Sequence, residues 1–246
     1  MIKKNYLTEL NKSKKSFVIY KTNKGFDLYT NFSKKIILTK KNTNNFINKI
    51  NKQKSKLKST DLFIGFFGYE ILNYLIGIKV PKQKGLKFPK GIFYKPEKKI
   101  ILENKLNYKN EDLNGLNSDF MININKKSYK KIFDKFKTKI KAGQTYQIKI
   151  CTKYRNKSKI DPLDFFCRLM KINMAPEAFM IKDKDYSIIS CSPENLITKV
   201  KDFISTKPIA GTLKKSKKLN KTKALSFFQK NIKETKEHNM IVDMER

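Results

Sequence analysis

Arginine is almost missing from this chain of 246 residues: Arg155, Arg168 and Arg246 are the only three among 56 basic residues. Arginine's planar fork is what clamps phosphate and reads guanine. The formal net charge of +35 therefore does not by itself announce a nucleic-acid partner. Lysine, asparagine and isoleucine swell together along the whole length, with no clustered basic stripe, as AT-rich coding would produce. Nucleic acid is accordingly not expected as a partner. Cysteine is also scarce. Cys151, Cys167 and Cys191 are odd in number and widely spaced, which argues against a disulfide framework and against a zinc site. The N-terminus, M-I-K-K-N-Y-L, lacks the apolar core of a signal peptide. No apolar run approaches a membrane span, and even Leu62 to Phe67 is only strand-sized. A soluble cytoplasmic protein without membrane contact is expected, long enough for one large domain or two small ones.

Taken in order, Ser16 to Tyr20 and Phe26 to Thr30 read as a hairpin about Thr22 to Gly25, and Lys35 to Thr39 as a third strand. Asn42 to Lys56 reads as a short helix running into a loop. Asp61 to Phe67 reads as a buried strand, with Gly65 and Gly68 allowing close backbone approach. Tyr69 to Ile78 has helical spacing, with Glu70 favoured at its start by the helix dipole. Pro81 to Pro96 is punctuated as a loop with a short strand, and Lys98 to Glu103 as another strand. The polar stretch Asn104 to Asn125 is the expected boundary between two regions, 1–125 and 126–246. Ser128 to Ala142 follows as a helix capped by Ser128 and closed by Gly143. Tyr146 to Tyr154 alternates as a strand. Asp161-Pro162 opens a second helix, with Asp161 as its cap. Two hairpins follow, Ala178 to Ser190 and Asn195 to Ile209, and successive antiparallel hairpins indicate an α+β fold.

The chemically specific residues crowd into the C-terminal part. C-S-P-E-N (Cys191 to Asn195) carries Glu194 after a proline, and P-I-A-G-T (Pro208 to Thr212) ends a strand-like run in Gly211-Thr212. E-T-K-E-H-N-M-I-V-D-M-E-R (Glu234 to Arg246) sets Glu234 and Glu237 three apart, on one helix face. Such a set can protonate a leaving group, hold an anion and ligate a hard cation. Read singly, each residue has a plainer role: Glu194 in a surface turn, Gly-Thr as a loop entry, and the two glutamates on a solvated, salt-bridging face.

In this order, and with A-G-Q-T-Y-Q-I-K-I (Ala142 to Ile150) and G-F-F-G-Y-E (Gly65 to Glu70) ahead of them, the motifs resemble the chorismate-utilising enzymes. That family includes anthranilate synthase component I, aminodeoxychorismate synthase component I and the isochorismate synthases. The resemblance covers roughly Asp61 to Arg246 and then stops. It implies an α+β fold built as an incomplete antiparallel two-sheet sandwich with flanking helices. Residues 126–246 would be the first part of the chorismate-binding region, truncated at its C-terminal side.

The family's chemistry breaks the bond to the hydroxyl at chorismate ring carbon 4, which requires a carboxylic acid kept protonated in a shielded pocket. By resemblance Glu194 is that acid, Thr212 contacts the substrate, and Gly211 lets the backbone approach an anion. Glu237 matches a magnesium ligand and Glu234 a supporting carboxylate, so Mg²⁺ is the implied cofactor. His238, the only histidine, follows this glutamate and reads as structural. Gln147 stands where isochorismate synthases resemble one another in a basic lysine, which turns the expectation toward an aminating enzyme. Tyr146 and Glu245, and the absence of an L-L-E-S motif, favour aminodeoxychorismate synthase component I. Ala210, in place of a lysine, favours anthranilate synthase component I. Either would take ammonia from a separate glutamine amidotransferase subunit. The remaining alternative is an inactive fragment that only binds.

Overall fold

A computed structural model describes residues 6–52, 61–79, 88–102, 106, 108, 119–217 and 219–245. Its elements, in chain order, begin with α1 (Tyr6–Lys12), β1 (Phe17–Thr22), β2 (Gly25–Ile37), α2 (Thr43–Asn51) and β3 (Ile64–Phe67). A 3-10 turn (Tyr69–Ile71), α3 (Leu72–Leu75), β4 (Gly91–Leu102), β5 (Met121–Ile122), α4 (Lys126–Lys141) and β6 (Tyr154–Arg155) follow. The chain continues through α5 (Pro162–Ile172), β7 (Glu177–Lys182), β8 (Ser187–Ser192), β9 (Asn195–Val200), β10 (Phe203–Lys207), α6 (Lys221–Lys230) and α7 (Ile232–Glu245).

Two compact units result, one formed by residues 1–108 with 166–246 and the other by residues 109–165. In the first, six antiparallel strands lie in the order β3-β4-β2-β1-β7-β8. Both sheet faces are apolar, as the two-residue period of strands allows. Val18, Tyr29, Ile92, Tyr94 and Ile181 form the buried cluster on one face. Phe17, Ile19, Leu28 and Met180 alternate onto the other and are fully buried there. Phe166 of α5 meets Phe26 edge-on, with ring centroids 6.1 Å apart. Phe46 of α2 packs with Leu38, Ile71 and Phe93 in a second cluster.

The expected first hairpin forms, with Thr22 opposite Gly25. The expected third strand does not stand alone: Lys35 to Ile37 is the continuation of β2. The ladder with β4 slips between Phe32 and Lys34, opposite Pro96. Proline has no N–H to give the ladder, so the irregularity falls where no bond is lost. β4 likewise starts at Gly91, well before the expected Lys98. Gly65 allows the close approach that its sequence position suggested, because a Cβ there would lie 1.9 Å from the Ile92 carbonyl oxygen. The helix expected over Tyr69 to Ile78 shrinks to the 3-10 turn and the four residues of α3, with Ile76 exposed. Within the expected loop Pro81 to Pro96, residues 81–87 lie outside the described residues, as does most of the polar stretch 104–125.

Asp183, in the turn between β7 and β8, fastens the first unit. It accepts hydrogen bonds from Ser16 Oγ (2.8 Å), Lys35 Nζ (2.6 Å), Tyr94 Oη (2.6 Å) and the Lys184 N–H (2.8 Å). Burial alone would raise its pKa, but these donors hold the carboxyl well below the usual carboxylate range. Burial and the hydrogen bond to Asp183 push the Tyr94 phenol far up, so it stays a neutral donor.

In the second unit α4 forms as its periodicity predicts, but Asn125 rather than Ser128 caps it, accepting from the Ser128 N–H at 2.8 Å. The expected strand Tyr146 to Tyr154 is mostly absent. Residues 147–153 form no ladder, and only β6 pairs, with β5. Alternation fits a strand, but strand formation requires a partner, and the described residues give this segment none beyond Met121 to Asn123. Asp161 caps α5 as expected, accepting from the N–H groups of Leu163 (2.8 Å) and Asp164 (3.1 Å). Among the described residues, no helix is long and apolar enough to cross a membrane.

Candidate active site

Glu194 sits at the corner between β8 and β9. Ser192 Oγ holds that corner, accepting from the Glu194 N–H at 3.3 Å and donating to the Glu194 carbonyl at 3.1 Å. The carboxylate reaches across to the strand end after β10, where Oε1 accepts from the Ile209 N–H at 3.0 Å. Glu194 is thereby fixed one residue ahead of Ala210-Gly211-Thr212. It also borders a cavity of about 430 Å³ with Tyr20, Glu177 and Asn195. Within that wall, Glu177 accepts from Tyr20 Oη at 3.0 Å and from Asn195 Nδ2 at 3.3 Å. Burial, with help from Glu177, pushes the Tyr20 phenol up to about 12, so it remains a neutral donor at physiological pH. Glu194 itself is exposed, and the enclosure that a general acid requires is not supplied by the described residues around it.

Gly211 packs against α7. A Cβ at Gly211 would fall 1.6 Å from Glu234 Oε2, so a larger residue there would make that carboxylate swing aside. Asn231 caps α7, its side chain accepting from the Glu234 N–H at 3.2 Å. The expected common face of Glu234 and Glu237 is visible through a third residue: Lys233 Nζ lies 3.0 Å from Glu234 Oε1 and 3.3 Å from Glu237 Oε2. The second Glu234 oxygen, Oε2, is buried with no hydrogen-bond donor among the described residues. On the far side, Ala210, Thr206 and Pro208 face His238, Ile241 and Glu245 of α7 across a cavity of about 320 Å³. His238 thus lines a cavity beside Ala210, a position that its reading as structural did not anticipate.

These residues fit a magnesium ion in part. Glu234 and Glu237 are hard oxygen donors already bridged by one cation, and the orphaned Oε2 lies in a cradle that a Cβ would fill. Magnesium commonly takes one or two carboxylates and completes its shell with water and substrate oxygens. No group of three or more potential ligands exists among the described residues. Thr212 is exposed, in the loop beside Gly211. Gln147 stands in the second unit, exposed on the unpaired segment before Tyr154, and is not among the residues that the first unit gathers. Sequence reasoning missed Lys233 and the Ile209 N–H. The first had a signal in its i, i+4 spacing to Glu237. The second is a backbone group and had none.

The corner carboxylate Glu194 thus meets the strand end that leads into Gly211-Thr212, and Gly211 in turn packs on the helix that bears Glu234 and Glu237. A family model described as chorismate binding enzyme matches residues 4–246, so this chain belongs to that family. The chain is similar to anthranilate synthase component 1 of Saccharolobus solfataricus, 28% identical over 196 residues, covering 74% of this chain and 47% of that protein. It is also similar to aminodeoxychorismate synthase component 1 of Bacillus subtilis, 32% identical over 114 residues, covering 46% of this chain and 24% of that protein. Among solved structures, anthranilate synthase component I from Streptococcus pneumoniae TIGR4 superimposes with a TM-score of 0.65 at 21% identity. That likeness covers 93% of this chain and 58% of the other, and supports the α+β fold alone. The chain spans about half the length, or less, of the curated relatives it matches.

Proposed function

We propose that this chain serves chorismate amination, as component I of an aminodeoxychorismate synthase that receives ammonia from a glutamine amidotransferase subunit. The observation that carries the reading is the docking of Glu194 on the Ile209 N–H, because it sets a carboxyl group directly beside the Ala210-Gly211-Thr212 loop. Glu194 would give its proton to the hydroxyl at ring carbon 4, which leaves as water while ammonia forms the new bond to the ring and gives up a proton in return. Gly211 and Thr212 would hold the substrate near this acid. Glu234 and Glu237 would hold a magnesium ion, which when bound supplies positive charge to anchor a substrate carboxylate. Gln147 offers no base to activate water, which supports amination over hydroxylation.

Anthranilate synthase component I is the second reading, favoured by Ala210, which presents a methyl group to the cavity beside α7 where a lysine would serve as a nucleophile. The test uses a family-length protein containing this chain, supplied with chorismate, Mg²⁺ and ammonium. Product that becomes para-aminobenzoate after addition of the lyase is expected. Fluorescent anthranilate in its place assigns the second reading.

A further inference from the structure

Lys233 touches both Glu234 and Glu237, and neither assigned role explains it. Its side chain is 76% exposed, so burial does not force the arrangement. Its ammonium nevertheless bridges Glu234 Oε1 and Glu237 Oε2, at 3.0 and 3.3 Å. A lysine chain on the helix surface has many rotamers facing water, and an exposed single pair holds it only weakly. Two carboxylates sharing one ammonium define a point where cationic charge is stabilised from two sides. The same two oxygens stand where the metal reading places a divalent cation. Glu234 Oε2, buried against Gly211, is left over by the lysine.

We propose that Lys233 is a tethered counter-cation of this site. Resting on the magnesium reading, the proposal makes Lys233 a positioning residue. Without metal, its ammonium offsets half of the charge of Glu234 and Glu237 and keeps them from splaying apart. A divalent cation enters by displacing it, and the released ammonium swings into solvent on its four-carbon stem. Glu234 Oε2, which the ammonium does not reach, is the oxygen that the larger charge gains. The site therefore binds its metal more weakly than two free carboxylates would, and releases it readily.

Mn²⁺ serves as the probe, with free ion followed by electron paramagnetic resonance during titration of the 246-residue chain. Lys233→Met keeps the stem and removes the charge. It is expected to bind Mn²⁺ roughly three- to ten-fold more tightly than the parent chain, the scale on which one nearby exposed charge acts. Lys236→Met removes a charge from the same helix without touching either pair and is expected to change affinity less than two-fold. In a Glu237→Gln background, where Lys233 faces Glu234 alone, the gain from Lys233→Met should shrink. Equal or weaker Mn²⁺ binding by Lys233→Met overturns the proposal, as does an equal gain from Lys236→Met. A Glu237→Gln chain that retains the parent's Mn²⁺ affinity overturns the magnesium reading itself, and the proposal with it.

Discussion

Replacing Asp183 by asparagine removes one negative charge from the point where four segments of the first unit meet. The carboxylate accepts from Ser16, Lys35, Tyr94 and the Lys184 N–H, and its side chain is only 3% exposed. Tyr94 is among the most deeply buried side chains, so its hydroxyl has no water to turn to. Lys35 is 45% exposed and recovers part of its hydration, which keeps the loss below that of a fully buried pair. Hydrogen bonds to a charged group contribute about 1.5–3 kcal/mol each, and removing one partner of a buried pair costs about 3–5 kcal/mol. For Asp183→Asn a loss of about 3 kcal/mol is expected, since the amide keeps one acceptor oxygen but turns donors toward Lys35 and Tyr94. With a urea slope near 3 kcal/mol per molar, the unfolding midpoint should fall by about 1 M at pH 7. The pH dependence has a definite sign. The folded pKa of Asp183 is depressed, so its contribution is present above the unfolded value of about 3.9 and fades as pH falls toward the folded value. The gap between parent and variant should be full at neutral pH and should narrow below pH 4. A gap under about 0.5 kcal/mol at pH 7, or one of constant size from pH 7 to pH 2.5, would refute this account of Asp183.

Glu194→Gln keeps size and removes the proton, so turnover of the family-length protein should fall roughly a hundred-fold or more with little change in chorismate affinity; equal turnover would remove Glu194 from the chemistry. Gly65→Ala places a methyl group against the Ile92 carbonyl and should lower stability by about 3 kcal/mol, read from urea unfolding followed by circular dichroism; an unchanged midpoint would mean that β3 is not held on β4. The 246 residues alone should bind chorismate weakly and form no product, because two carboxylates and an exposed Glu194 make an open site. Calorimetry with Mg²⁺ and chorismate beside a turnover assay checks this, and tight magnesium-dependent binding with turnover would show that the site lies elsewhere.

Local structure was largely legible in the residues themselves. Asp161 before Pro162, and the apolar periodicity of α4 closed by Gly143, act within one or two helical turns, and the chain realises both. The turn at Lys201-Asp202 is equally local, with Lys201 taking a φ of 56° between β9 and β10. The order of the motifs from Gly65 to Glu237 carried the family, because each is a short run that is read without knowing which elements meet. Tertiary structure alone decided which strands meet. β7 pairs with β1 from more than 150 residues away, Phe17 opposite Lys182, and so brings Asp183 to its four donors. Alternation made Tyr146 to Tyr154 look like a strand, but hydrogen bonds between strands depend on a neighbour that no local pattern specifies. The meeting of Glu194 with the Ile209 N–H, and of Glu234 with Gly211, likewise joins groups distant in sequence. Side-chain identity determined what chemistry was possible. Where those side chains converge was settled by sheet pairing and helix packing, whose energies are sums over contacts that exist only once the chain has closed on itself.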